Sequence, residues 1–208
     1  MPYKIRSVET INGPMDDLTK EESSPTLNQK LAILRTPRSG ADDMAPANSR
    51  RLGSFLGVAN RDRPFLGAPI TEQSRVAMRG VGREGTEFFV IPTDTGSVCY
   101  LVGDIALGCM SQLVNELIGW NLTFFPDESG HAGDIAVHGL VANDVEAVQV
   151  VFKGRDGSLE APVPAKVENN AFFAELQDTR VDPLAISEFK VQMKSGSVRS
   201  VLVRRVLR

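Results

Sequence analysis

Apolar and polar residues alternate along Val145-Glu-Ala-Val-Gln-Val-Val-Phe-Lys153, which puts Val148, Val150 and Phe152 on one face and Gln149, Val151 and Lys153 on the other. That period of two predicts a half-buried strand. Gly154-Arg155-Asp156-Gly157 then predicts a turn, because Gly and Asp tolerate left-handed backbone angles. A second strand is expected over Ser158–Val163, at a sheet edge where Pro162 and Pro164 do little harm. Asn169-Asn170 marks another turn, after which Phe172, Ala174 and Leu176 resume the alternation.

The same pattern predicts strands on either side of this stretch. Glu87–Ile91, Val98–Val102, Ile105–Met110, Trp120–Phe125, Asp134–Val141, Ile186–Met193 and Ser197–Val206 all read as strands, separated by Gly, Asn and Asp. Phe189, Val191 and Met193 are the natural packing partners of Val148, Val150 and Phe152. Helical spacing is confined to short pieces. One helix is expected from Ser24 with Leu27, Leu31 and Leu34 on one face, and Pro37 ends it. A second, capped by Asn48, is expected to stop at Gly53, and Ser111–Leu117 reads as two helical turns. The expected fold is mainly β, an antiparallel sandwich with a short helical and irregular N-terminal part. Four regions follow: a leader over 1–30, a helical and irregular segment over 31–84, a small β region over 85–141 and a β half over 142–208.

Composition adds little to this picture. A hydrophobic fraction of 42% and a charged fraction of 24% are those of an ordinary globular chain. The net charge of −3 sets up no overall field for nucleic acid or an anionic membrane, and no apolar run reaches the ~20 residues that cross a bilayer. The start lacks the order of a secretory signal, so taken literally the chain is expected to stay where it is made. Arginines nevertheless crowd Arg35–Arg83, at Arg35, Arg38, Arg50, Arg51, Arg61, Arg63, Arg75, Arg79 and Arg83. This stretch is either a solvated surface or a site for an acidic partner.

Candidate chemistry is sparse. Cys99 and Cys109 fall opposite each other if Gly103–Ile105 turns the hairpin, where a bridge fits and adds at most ~3 kcal/mol. The alternative is two buried thiols in a reducing compartment. His131, Asp134 and His138 form the one cluster resembling a metal or acid–base site; the bland reading is a strand-end His beside a carboxylate. Gly80-Val-Gly82-Arg-Glu-Gly85 matches the letters of a dinucleotide fingerprint, but a strand rather than a helix follows it, so it reads as a turn. Asn121-Leu-Thr123 spells a glycosylation sequon, and Trp120, Phe124 and Phe125 form either an aromatic platform or core. Serine-nucleophile signatures are missing.

Leu31–Asp42, Gly96–Leu101 with Gly108-Cys109, and Val145–Val163 with Asn169–Phe173 together resemble uncharacterised actinobacterial proteins that carry a small cysteine-containing β region and an immunoglobulin-like C-terminal half. The resemblance covers most of residues 31–176. It implies an envelope location, an oxidised Cys99–Cys109 pair and no catalytic residues. The expected function is therefore a non-catalytic interaction or ligand-binding module without a cofactor. Its partner would be a protein or small molecule, met through the loops Pro126–Gly133 and Arg61–Ala68. A small metal-dependent hydrolase using His131, Asp134 and His138 is the alternative, and a cytosolic regulator binding an acidic partner through the Arg-rich segment is a further one.

Overall fold

A computed structural model describes residues 26–62, 66–82, 85–126, 132–154, 156–176 and 181–203, with the side chains at 58–62, 124–126, 132, 133 and 181–185 outside that description. Eleven strands are described, all of whose pairings are antiparallel: β1 Arg75–Val81, β2 Thr86–Pro92, β3 Val98–Val102, β4 Ala106–Met110, β5 Ile118–Pro126, β6 Ala132–Val141, β7 Val145–Gly154, β8 Val163–Glu168, β9 Ala171–Leu176, β10 Val181–Met193 and β11 Val198–Leu202. β1–β4 form a four-stranded sheet in chain order, and the other seven are ordered β11-β10-β7-β8-β9-β6-β5. The protein is mainly β, as its alternation predicts.

Within the seven-stranded sheet, β8 is a corner. Its first half, through Ala165, pairs with β7, and its second half, from Lys166, pairs with β9. The sheet thereby folds over into two layers, β5-β6-β9 and β7-β10-β11, whose inner faces meet in one core. Val148, Val150 and Phe152 of β7 pack there with Phe189, Val191 and Met193 of β10 and with Trp120, Val137 and Phe172 from the facing layer. Trp120 lies 5.3 Å from Phe189 between ring centroids, so it is core rather than platform.

The reverse face of β6 and β9 carries Ala136, Leu140, Ala171 and Phe173 into a second core, shared with Phe88, Val90, Val98, Tyr100 and Val102 of the four-stranded sheet. The far side of that sheet holds Phe89, Ile91, Cys99 and Leu101 under the helix α2, Pro46–Asp62, which contributes Leu52 and Leu56. Strict alternation in β2 and β3 thus separates two buried faces, and the order of layers is helix, sheet, sheet, sheet. A short helix α1, Leu27–Lys30, and a following 3₁₀ turn, Ala32–Arg35, insert Leu27, Leu31 and Ile33 into the second core.

Several elements differ from their sequence expectation. The second helix runs through Gly53 instead of stopping there: a side chain at Gly53 or Gly57 would meet nothing, and burial of Leu52 and Leu56 offsets the ~1 kcal/mol each glycine costs. Ser111–Leu117 is not helical. Asn115 and Glu116 both take positive φ, and Leu117 N–H reaches Val114 C=O at 3.0 Å, which makes a type I′ turn into β5. The strand expected over Ser158–Val163 begins only at Val163; Pro162 and the Lys153–Leu159 bridge leave the preceding stretch irregular. β1 occupies chain expected to be irregular, and the break between sheets falls between β4 and β5, so β5 and β6 join the C-terminal strands. Positions Ser24 and Pro25 lie outside the described residues.

Candidate functional site

His138 sits on the face of β6 that meets the four-stranded sheet, and only 1% of it is exposed. Its register partner on β5 is Asn121, with Thr123 two residues further on. Tyr100 reaches it from β3, across the second core. His138 Nε2 lies 2.9 Å from Thr123 Oγ1, His138 Nδ1 lies 3.0 Å from Tyr100 Oη, and Asn121 Nδ2 donates to the same Oη at 2.6 Å. One proton assignment makes this a directed chain: Asn121 N–H to Tyr100 Oη, Tyr100 O–H to His138 Nδ1, and His138 Nε2–H to Thr123 Oγ1.

Local sequence makes room for this network. Gly108 is opposite Tyr100 in the β3–β4 register, and a Cβ there would fall on Asn121 Nδ2 and within 2.6 Å of Tyr100 Oη. The electrostatics follow from the seal. Burial pushes the His138 pKa down to about 3, so the imidazole is neutral. Burial also raises the Tyr100 pKa, against the opposing donation from Asn121, so the phenol stays protonated. With both ring nitrogens engaged and no charge, His138 is a structural bridge between the sheets rather than a ligand or base facing solvent.

Of the metal candidates, Asp134 and His138 are not brought together. Asp134 and His138 share a face of β6 but stand four residues apart, about 13 Å of strand, and Asp134 is half-buried at the strand end. His131 lies outside the described residues. Among the described residues, no group of three or more His, Cys, Asp and Glu is placed to hold a metal ion. The sequon Asn121 is buried, its amide spent on Tyr100, so no glycan fits on it. The expected contact loops lie partly beyond view: 127–131 and 63–65 are outside the described residues, as are the side chains of Phe124 and Phe125.

Cys99 and Cys109 are register partners on β3 and β4, and their sulfurs are joined at 2.04 Å. The pair lies on the α2 side of the sheet, away from His138. Gly80, Gly82 and Gly85 all have positive φ and serve the β1–β2 connection, where a Cβ at Gly82 would meet Ile105.

Among the described residues, four arginines of the stretch, Arg35, Arg51, Arg75 and Arg79, donate to backbone carbonyls. Arg75 donates to the carbonyls of Thr36, Gln73 and Ser74, Arg51 to Gly103, and Arg35 to Gln29, while Arg79 pairs with Glu87 and reaches Ala41. Arg38 pairs with Asp43, Arg50 is exposed, and Arg63, Arg83 and the Arg61 side chain are outside the described residues. Charges that tie one segment to the next are poorly placed to recruit a separate acidic partner.

The surface feature that sequence reading missed is apolar. Among the described residues, Leu159, Val198 and Leu202 are the exposed large hydrophobics, at 61%, 63% and 66%. Register puts all three on the outward face of the β7-β10-β11 layer: Leu202 is opposite Glu188, which is opposite Val151; Val198 is opposite Gln192; and Leu159 bridges to Lys153, two residues from Val151. The alternation of Val198, Ser200 and Leu202 was the available signal, but nothing in the sequence says which face is turned to solvent. Comparison of the chain with models of protein families, with curated proteins and with solved structures gives no match.

Proposed function

We propose that the protein is a non-catalytic interaction module with an immunoglobulin-like C-terminal sandwich, working at the cell envelope. One observation carries the reading: the histidine that a hydrolase would use is sealed between two sheets with both nitrogens occupied, while exposed apolar side chains gather on one outward sheet face. The strand order supports the immunoglobulin-like assignment. β5-β6-β9 with the end of β8, facing β7-β10-β11, repeats the A-B-E-D and C-F-G arrangement, with crossings between layers at β6–β7 and β9–β10. Support for the envelope comes from the resemblance to actinobacterial proteins and from the Cys99–Cys109 bond, which an oxidising compartment maintains.

Metal content and thermal shift of the purified protein, with zinc and with a chelator, test the reading against a hydrolase. The expected result is no zinc-dependent change in melting and none that distinguishes His138→Gln from the native chain. Zinc-dependent stabilisation lost in His138→Gln, accompanied by hydrolysis of an ester or phosphoester probe, would overturn it.

A further inference from the structure

We propose that the chain pairs with a second copy of itself through the outer edge of β11, the two strands running antiparallel about a twofold axis at Ser200. The inference rests on the interaction-module reading and names an occupant for its surface. β11 ends the order of the seven-stranded sheet, and among the described residues β10 is its one strand partner. Such an edge presents unpaired backbone groups that template another strand.

The hydrogen-bond phase of the hairpin decides which groups these are. Met193 N–H donates to Ser197 C=O, and Val203 N–H donates to Ser187 C=O, so residues 197, 199, 201 and 203 turn their backbone groups toward β10. Val198, Ser200 and Leu202 therefore turn theirs away, toward the open edge. Their side chains lie together on the outward face. An antiparallel partner centred on Ser200 sets Val198 opposite Leu202 of the second copy, Ser200 opposite Ser200, and Leu202 opposite Val198. Each is a hydrogen-bonded pair, giving roughly six backbone bonds, and each exposed apolar side chain gains an apolar neighbour across the axis.

Charge favours this occupant over an acidic or polyanionic one. On the outward face next to the edge, Lys190 is 4.0 Å from Glu188, and Gln192 donates to Glu146 at 3.2 Å, so the nearby charges already have partners. The one charge on β11, Arg199, would oppose Val201 rather than a second arginine. Val198–Leu202 has no Pro or Lys, and the β10–β11 register runs without a bulge, so among the described residues neither a proline, a lysine nor a bulge blocks the edge. Twofold, self-complementary pairing is the geometry in which one short strand satisfies itself.

The test is sedimentation equilibrium of the full chain over about a thousandfold range of concentration. The native protein is expected to shift from the 22.6 kDa monomer to twice that mass. Ser200→Pro removes an outward N–H without touching the bonds to β10, and Val198→Lys with Leu202→Lys sets charge against the second copy; both are expected to stay monomeric at every concentration, weakening association at least tenfold. Near-UV circular dichroism identifies a variant that fails to fold, in which case the other decides. A native chain that is monomeric throughout, or a dimer unchanged in the folded variants, overturns the proposal. So does protection of the Ser200 amide from hydrogen exchange in dilute monomer, which would assign the edge to this chain's own residues. These failures leave the interaction-module reading standing, whereas zinc-dependent hydrolysis would remove that reading and not the dimer.

Discussion

A histidine without solvent contact has to satisfy both ring nitrogens inside the protein, and His138 does so with Thr123 and Tyr100. Neutrality is the cost of that position, and it appears as a dependence of stability on pH. The folded pKa is about 3, against 6.5 for an unperturbed imidazole. Between those values the unfolded chain carries a proton at this side chain that the native chain does not. Stability is therefore full above pH 6.5 and falls as the pH drops through the window, by up to about 1.4 kcal/mol per unit. Urea unfolding at pH 7 and pH 5 should show the native protein losing about 2 kcal/mol more than His138→Gln, which keeps hydrogen-bonding capacity but does not titrate. His131 is present in both chains and cancels in the difference. Equal losses would mean that the imidazole is protonated, or reaches water, in the folded protein. Sequence alone placed His138 on the strand Asp134–Val141 and grouped it with His131 and Asp134, not with Asn121 or Thr123. It did not reveal Tyr100, because that contact crosses between two sheets whose packing no local pattern encodes.

Elements were legible where turn chemistry fixes register. A turn over Gly103–Ile105 folds Val98–Met110 back on itself, and the observed pairing of Cys99 with Cys109 follows from it. Val148, Val150 and Phe152 meet Phe189, Val191 and Met193 because apolar residues recur at every second position of both stretches, although the pairing of β7 with β10 shifts register at Ile186–Glu188 and Gln192–Met193. β1 was illegible because bulges at Val76–Met78 and Arg79–Val81 break its period, and the type I′ turn at Asn115-Glu116 because Glu is not a residue that announces positive φ. The hairpin also supplies the element-scale prediction. Protein taken from its native compartment and denatured without reductant should show no free thiol, with two appearing on reduction. Cys99→Ala with Cys109→Ala should then cost at most about 3 kcal/mol in urea, since the closed loop is short. Two free thiols before reduction would place the protein in a reducing compartment and sink the envelope location.

At the scale of the whole molecule, the two sheets are tied by a strap. Residues Thr26–Thr36 start against the β2–β3 connection, where Asn28 N–H donates to Gly96 C=O at 3.1 Å, and finish in the grip of two asparagines from the other sheet's loops. Asn143, between β6 and β7, accepts from Ala32 N–H at 2.7 Å and donates to Lys30 C=O at 2.6 Å. Asn170, in the β8–β9 turn, accepts from Ile33 N–H at 3.0 Å and donates to Val141 C=O and to Asn143 Oδ1. Leu27, Leu31 and Ile33 enter the shared core only if this backbone is held in place. Losing Asn170 strands the buried Ile33 N–H and the Val141 carbonyl, at a cost of about 1–3 kcal/mol. Asn170 has φ 66°, so replacement by Ala would add backbone strain, and Asn170→Gly isolates the side chain. That variant should lose about 1–3 kcal/mol in urea, and amide exchange at Ala32 and Ile33 should quicken at least tenfold while Val150 in β7 keeps its native protection. Loss of protection spread evenly over both sheets would mean that the strap opens only when everything unfolds. Unchanged exchange at Ile33 would mean that apolar burial alone holds it, and that the asparagine grip adds no hold of its own.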